Sequence, residues 1–192
     1  LPVLATEVPR FVESALTLAN PISAELAAMR LSLWPGLVAA LQSNQRRQQS
    51  RVRLFEAGRK FVTQSGELHE IEVLAGVAAG PALPEQWGAG KDAGDFFDVK
   101  SDVEALLRAT GRLEAFRFVP QAHPALHPGQ SARICCGDAA IGWIGRLHPE
   151  LEHRLELTYS AVVFEVETQS GLQARVPQHR ENSRLPAVRR DL

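Results

Sequence analysis

The sequence contains little cysteine, little tyrosine and no excess of either charge. Its only cysteines, Cys135 and Cys136, are adjacent, so on a strand their side chains would point to opposite faces. This arrangement argues against a disulfide framework and against a metal site built on the pair. We therefore expect two reduced cysteines, as is usual in a cytoplasmic protein.

A long hydrophobic run is also missing. The longest mostly apolar stretch, Leu74 to Leu83, is interrupted by Gly76, Gly80 and Pro81, and the first residues do not show the pattern expected of a signal peptide. The net charge of −1 creates no overall field that would select nucleic acid or membrane. With 45% hydrophobic residues in 192, the chain can bury a substantial core, and we expect no membrane partner.

The periodicity of hydrophobic residues predicts a mixed α+β domain. A helix is predicted from Pro35 to Gln48, a second begins at a cap formed by Asp98, and a third runs from Pro149 to about Leu155. Strands are predicted over residues 51–56, 70–78, 115–119, 132–136, 140–144 and 161–167. Phe61-Val62 would continue the first strand beyond a break at Gly58. Strands joined as hairpins, with helices between them, indicate a mostly antiparallel sheet flanked by helices.

Motifs that suggest catalysis or nucleotide binding are incomplete. Gly88 to Lys91 hints at a phosphate loop, but Glu85 and Asp92 occupy the places of its required glycine and hydroxyl residue. The carboxylates near the second helix are better explained by the helix dipole than by acid–base chemistry: Asp95, Asp98, Asp102 and Glu104. We therefore assign no catalytic or cofactor-binding residue.

Three histidines each precede a proline: His123, His127 and His148. The residue before proline is biased towards extended or turn conformations. None of the three has a second ligand at metal-binding spacing on its own element. Turn or surface roles are thus favoured, and no metal site is predicted.

A basic strip is the strongest candidate for a contact surface. Residues 44–60 hold six arginines or lysines and one glutamate. The candidates for contact with a partner protein or with nucleic acid are Arg46, Arg47, Arg51 and Arg53. The alternative is a solvated helix end beside an alternating strand, because aromatic residues that could stack on bases are sparse here.

Several stretches match, in order and spacing, those of a known family. They are Asn20 to Leu37, Asn44 to Gln48, Val52 to Phe61, Asp95 to Lys100, Ala122 to Ala132 and Ile141 to Glu150. Through them the chain resembles the catalytic-like region of the beta subunit of bacterial phenylalanyl-tRNA synthetase. Ser183 to Leu192 is similar to the entry into that subunit's C-terminal anticodon-binding domain.

The resemblance implies a class II synthetase-like antiparallel sheet that is catalytically degenerate. It implies a lead-in over residues 1–19 and a catalytic-like domain over 20–169. Residues 170–192 would be a linker and the truncated start of a ferredoxin-like domain.

The same resemblance implies that the ATP-binding elements are lost. In the catalytic alpha chain, a Gly-Arg pair is followed by an aromatic-Arg-x-acid pattern whose arginine grips phosphate. After Gly58-Arg59 this chain has Val62 in place of that arginine and Gln64 in place of the acid. The C-terminal strand, Val162 to Thr168, lacks the glycine-rich run and the arginine. ATP and Mg²⁺ would then be used by the parent complex and not by this chain.

The function implied is that of a non-catalytic structural module. It would support assembly with the catalytic alpha subunit in a cytoplasmic enzyme that attaches phenylalanine to tRNA(Phe) using ATP. Arg46, Arg47, Arg51 and Arg53 would then face the alpha subunit or the tRNA. The alternatives are a stand-alone protein- or RNA-binding module on a synthetase-like fold, and a small enzyme with an unrecognised site.

Overall fold

The computed structural model describes residues 29–64, 67–88 and 92–171. The strands are β1 (Val52–Gln64), β2 (Glu67–Ala79), β3 (Phe116–Pro120), β4 (Leu126–Cys136), β5 (Ala139–Leu147) and β6 (Ala161–Glu167). The helices are α1 (Trp34–Arg46), α2 (Phe96–Arg108), α3 (Pro149–Arg154) and α4 (Thr168–Gly171), with a 3₁₀ turn at Leu113–Ala115. The predicted lead-in and the predicted start of a further domain lie outside the described residues.

The six strands form one antiparallel sheet in the order β1-β2-β6-β5-β4-β3. The last of the described strands along the chain, β6, is therefore inserted between β2 and β5. This architecture confirms the predicted antiparallel sheet with flanking helices.

Each face of the sheet carries its own hydrophobic core. Alternation along β6 directs Val163 to one face and Val162 and Val166 to the other. The first core includes Leu33, just before α1, and the apolar side of α1: Leu37, Val38 and Leu41. The second core includes the apolar side of α2: Val99, Val103 and Leu107. Helices α1 and α2 thus lie on opposite faces of the sheet. Within the part of the chain that the structure describes, no helix combines the length and hydropathy needed to cross a membrane.

The cap of α2 is Asp95, and the prediction of Asp98 was wrong by one turn. The Asp95 side chain accepts hydrogen bonds from the backbone N–H groups of Phe97 and Asp98, at 2.7 and 3.0 Å. The Asp98 carboxylate in turn accepts from the Asp95 N–H at 2.8 Å, which completes a capping box. Both carboxylates therefore hold the helix terminus.

The predicted break at Gly58 is also wrong, because β1 passes through it without interruption and pairs it with Val73. A Cβ atom at this position would lie 2.5 Å from the Nη2 atom of Arg30. Arg30 lies along the outer edge of β1, where its carbonyl accepts from Phe61 N and its Nε donates to Arg59 O. Glycine at 58 makes room for this edge contact.

Two smaller boundaries differ from the prediction. Helix α1 ends at Arg46, since Gln48 adopts a left-handed φ of 63°. Strand β4 begins at Leu126, so the pair His127-Pro128 belongs to its irregular first part, where the register with β5 shifts.

The loop between β2 and α2 is closed at its base by backbone contacts. Gly94 N donates to Gly80 O at 2.9 Å, Ala82 N donates to Asp92 O at 3.0 Å, and Pro81 forms a β-bridge with Ala93. These contacts close the base of the loop directly before the α2 cap. A shallow cleft beside this base is too small for a nucleotide.

Candidate functional site

The structure brings together the two segments in which the resemblance places ATP-binding elements. Strands β1 and β6 both pair with β2, and the Lys60 ammonium of β1 reaches across to two carboxylates of β6. Its Nζ atom lies 3.4 Å from Glu165 Oε1 and 3.3 Å from Glu167 Oε1. We call these three residues the Lys60 cluster.

Glu165 also ties the cluster to α1. The residue is only 7% exposed. Its Oε2 atom accepts from Ser32 Oγ at 2.7 Å and from Leu33 N at 2.9 Å. The carboxylate thus satisfies a buried backbone donor at the start of the helix, which favours negative charge there.

Arg59, next along β1, is likewise engaged by carboxylates. Its guanidinium lies 2.7 Å from Glu70 and 3.5 Å from Glu72, both on β2. The hydrogen bond to Glu70, supported by the charges of both carboxylates, raises the pKa of Arg59 above its usual value. Both cations in this part of β1 are therefore paired within the chain.

The predicted basic strip is not one surface. Arg46 lies 3.8 Å from Glu156, after α3, whereas Arg53 forms an ion pair with Asp102 on α2. The two arginines are thus on opposite faces of the sheet. Arg51 donates to Ala82 O at 3.3 Å, and Arg47 is exposed at the end of α1. Contact between these four residues and a partner stays a prediction.

His123 lies within an aromatic cluster on the α1 face. Its ring centroid is 5.4 Å from that of Trp34 and 4.8 Å from that of Trp143, both edge-on. The Arg133 guanidinium lies 4.6 Å from the centroid of Trp143. Burial, with a smaller effect from the charge of Arg133, lowers the pKa of His123 from 6.5 to about 4.

The three histidines that precede proline each accept the same type of local hydrogen bond. The Nδ1 atoms of His123, His127 and His148 each accept the backbone N–H two residues later, at 3.2, 3.0 and 3.2 Å. The bond holds a turn after His123, the irregular start of β4 after His127, and the N-terminus of α3 after His148. Among the described residues, no group of three or more His, Cys, Asp or Glu side chains is placed to hold a metal ion.

Acidification should destabilise the fold through His123. Because its pKa is about 4 in the folded state and 6.5 when unfolded, the unfolded chain binds the extra proton between these values. The free energy of unfolding should therefore fall as pH drops from 6.5 towards 4, by at most about 3 kcal/mol. Urea unfolding at a series of pH values measures this slope.

The matched control for this titration is His123→Asn, whose amide oxygen can accept the same turn hydrogen bond without gaining a proton. The other five histidines remain in both proteins. A pH slope as steep in the variant as in the unaltered chain would show that His123 is not the group responsible.

A family model described as the phenylalanyl tRNA synthetase beta chain CLM domain matches residues 7–168. The chain belongs to this family. The match covers the described sheet, the Lys60 cluster and the three His-Pro pairs.

Relatives of this beta-chain domain agree with the assignment. The chain is 55% identical over 177 residues to the phenylalanine–tRNA ligase beta subunit of Pseudomonas fluorescens, covering 92% of this chain and 22% of the relative. It is 51% identical to the subunit of the same name from Methylococcus capsulatus, covering 91% and 22%. The chain thus spans about a fifth of the length of the curated relatives that it matches.

The same fold occurs in a solved synthetase. The crystal structure of pyrrolysyl-tRNA synthetase from Desulfitobacterium hafniense matches with a TM-score of 0.64 at 16% identity. The match covers 89% of this chain and 61% of the other. The beta-chain domain therefore has the class II synthetase fold that the resemblance implied.

Sequence reasoning missed the Lys60 cluster. One signal was present, since Glu165 interrupts an otherwise apolar strand, Val162 to Val166. A carboxylate in a buried strand requires a partner. Its partner is 105 positions away in the chain, and only the pairing order of the sheet brings them together.

Proposed function

We propose that this chain is a non-catalytic structural module of the beta subunit of phenylalanine–tRNA ligase. It would support assembly with the catalytic alpha subunit, and the parent complex would attach phenylalanine to tRNA(Phe). The Lys60 cluster is the observation that carries this proposal.

The Lys60 cluster disfavours binding of a nucleoside triphosphate. A triphosphate needs unpaired cations, preferably the planar fork of an arginine, at its phosphates. Here Lys60 is held by Glu165 and Glu167, and the two carboxylates outnumber the one ammonium. The three side chains together carry a net charge of −1, which would repel a phosphate group. This repulsion is stronger than in water because the side chains are largely buried.

The remaining elements support the same proposal. The resemblance expects a phosphate-binding arginine at position 62. The residue there is the apolar Val62, whose strand partner is His69. We infer that no cofactor binds this chain itself, and that ATP and Mg²⁺ act in the parent complex. Residues 20–169 would form the catalytic-like domain, with residues 170–192 leading into an anticodon-binding domain.

The names of the relatives favour this function over a stand-alone protein- or RNA-binding module. As part of a synthetase, the chain would work in the cytoplasm with the alpha subunit and tRNA(Phe). Of the four strip arginines, Arg47 is an exposed candidate for such a contact.

The test is reconstitution of the chain with the catalytic alpha subunit. Size exclusion with light scattering should show a mixed species whose mass exceeds that of either protein alone. Phenylalanine-dependent exchange of pyrophosphate into ATP should be absent for the chain alone, because the phosphate-gripping residues are missing.

Both proteins measured separately are the controls for mass and for activity. Two well-folded proteins that fail to form a mixed species would contradict the assembly role. Exchange activity in the purified chain would contradict the non-catalytic role.

A further inference from the structure

The sheet face that carries α2 has an exposed apolar part on β1 and β2. Directly opposed residues of antiparallel strands share a face, and the register sets Phe55 opposite Gly76 and Ala57 opposite Leu74. Gly76 is in turn opposite Phe164, which packs against the second core beneath α2. Beyond Phe164 the cover ends, because Phe55 is 79% exposed and Ala57 is exposed. We call Phe55, Ala57 and Leu74 the β1–β2 face.

Ion pairs border the β1–β2 face at both ends. At one end, Arg53 of β1 is paired with Asp102 of α2. At the other end, the single guanidinium of Arg59 contacts two β2 carboxylates, those of Glu70 and Glu72. These two arginines and three carboxylates carry a net charge of −1, and the excess carboxylate lies at the Arg59 end. The face therefore favours an occupant that combines apolar side chains with positive charge, and it disfavours the phosphates of RNA.

The chain leaves the described sheet beside the acidic end of this face. Thr168, the first residue of α4, donates its hydroxyl to the Glu72 carbonyl oxygen at 3.2 Å. Gly76, opposite Phe55, lies four residues along β2 from Glu72, a distance of about 13 Å. Residues 172–180 follow α4 directly, and nine extended residues span about 30 Å. This segment can therefore reach the whole face.

Charge distinguishes this segment from the other end of the chain. Residues 172–180 contain two arginines and no carboxylate, together with apolar residues that include Val176 and Pro177. Residues 1–28 contain three glutamates and one arginine, a net charge of −2. An acidic segment would place like charges beside Glu70 and Glu72, which is unfavourable, whereas a basic segment supplies a cation for the excess carboxylate.

We propose that residues 172–180 dock in extended form on the β1–β2 face. Val176 and Pro177 cover its apolar side chains, and Arg175 supplies the cation at its acidic end. The contact sets the direction in which the chain leaves the domain. This inference concerns the chain alone and does not depend on assembly with an alpha subunit.

The experiment is limited trypsin digestion of the full 192-residue chain, with the rate of each cleavage followed by mass spectrometry. Docking should slow cleavage after Arg175 roughly thirtyfold relative to cleavage after Arg184, because a docked bond is cut from the open state. Phe55→Ser should speed cleavage after Arg175 roughly tenfold by removing apolar contact. Glu72→Gln should speed it roughly threefold by removing the excess negative charge.

The matched control is Asp138→Asn, on the hairpin between β4 and β5. Asp138 lies 3.5 Å from Arg117, just as Glu72 lies 3.5 Å from Arg59, and the change in charge is the same. None of the three substitutions creates a new trypsin site. The control should be cleaved after Arg175 as slowly as the unaltered chain, because its carboxylate is remote from the β1–β2 face.

Three results would overturn the proposal. The first is equal cleavage after Arg175 and Arg184 in the unaltered chain. The second is protection at Arg175 that survives both Phe55→Ser and Glu72→Gln, because the segment would then dock elsewhere. The third is faster cleavage after Arg10 in Phe55→Ser with Arg175 unchanged, because residues 1–28 would then cover the face. Each of these results leaves the assembly role in place.

Discussion

Replacing Gly80 with alanine should remove roughly 4 kcal/mol or more from the free energy of unfolding. Gly80 has a φ of +89°, and a Cβ atom there would lie 1.8 Å from the Ser50 carbonyl oxygen. That oxygen belongs to the backbone entering β1, so no side-chain rotation can relieve the overlap. Urea unfolding followed by circular dichroism measures the loss.

Gly88→Ala is the matched control for this prediction. Gly88 has a similar φ of +76°, but a Cβ atom there would meet no atom of the described residues within 4 Å. It should cost only about 1–2 kcal/mol, from the left-handed backbone conformation alone. If Gly80→Ala were no more destabilising than Gly88→Ala, the overlap with Ser50 would have no energetic consequence.

Removing the Glu165 carboxylate should cost roughly 3–5 kcal/mol, the range found when one member of a buried ion pair is deleted. Glu165→Ala leaves Leu33 N without its acceptor and Lys60 with one carboxylate instead of two. The predicted loss therefore combines an orphaned backbone donor with a weakened charge pair. Equilibrium unfolding in urea at pH 7 gives its size.

Glu167→Ala is the control, because Glu167 contacts the same lysine from the same strand. Its side chain is more exposed than that of Glu165, so its loss should cost about 1 kcal/mol or less. Glu165→Gln keeps an oxygen acceptor and should fall between the two alanine variants. Equal losses for Glu165→Ala and Glu167→Ala would show that the bond to Leu33 N contributes nothing.

Short-range patterns were sufficient to predict the strands and helices. Alternation identified the strand around Glu70 to Ala78, and Gly137-Asp138 marked the hairpin between β4 and β5. The error at Gly58 arose because a distant residue decides the local conformation. From the sequence, Gly58 is interpreted as a strand breaker. In the structure, Arg30 occupies the space that a side chain at position 58 would need.

The candidate site was harder to predict, for the same physical reason. The expected turn was found at His123, whereas His127 lies in the first part of β4 and His148 caps α3. The aromatic neighbours of His123 are Trp34 of α1 and Trp143 of β5. Their distances from His123 depend on the packing of these elements, which the sequence does not show. The four arginines of the strip are close in sequence, yet Arg46 and Arg53 lie on opposite faces of the sheet. Arg46 belongs to α1 on one face, whereas the side chain of Arg53 on β1 reaches α2 on the other.

The central place of β6 has a consequence for the order in which the chain can fold. During synthesis, β1 and β2 emerge first, followed by the meander from β3 to β5. In the described sheet, neither group pairs with the other, since β6 alone joins β2 to β5. The nascent chain therefore holds two separate ribbons until residue 167 has left the ribosome. Pairing across such long sequence separations is slow, so translation of β6 sets the earliest moment at which the described sheet can fold cooperatively.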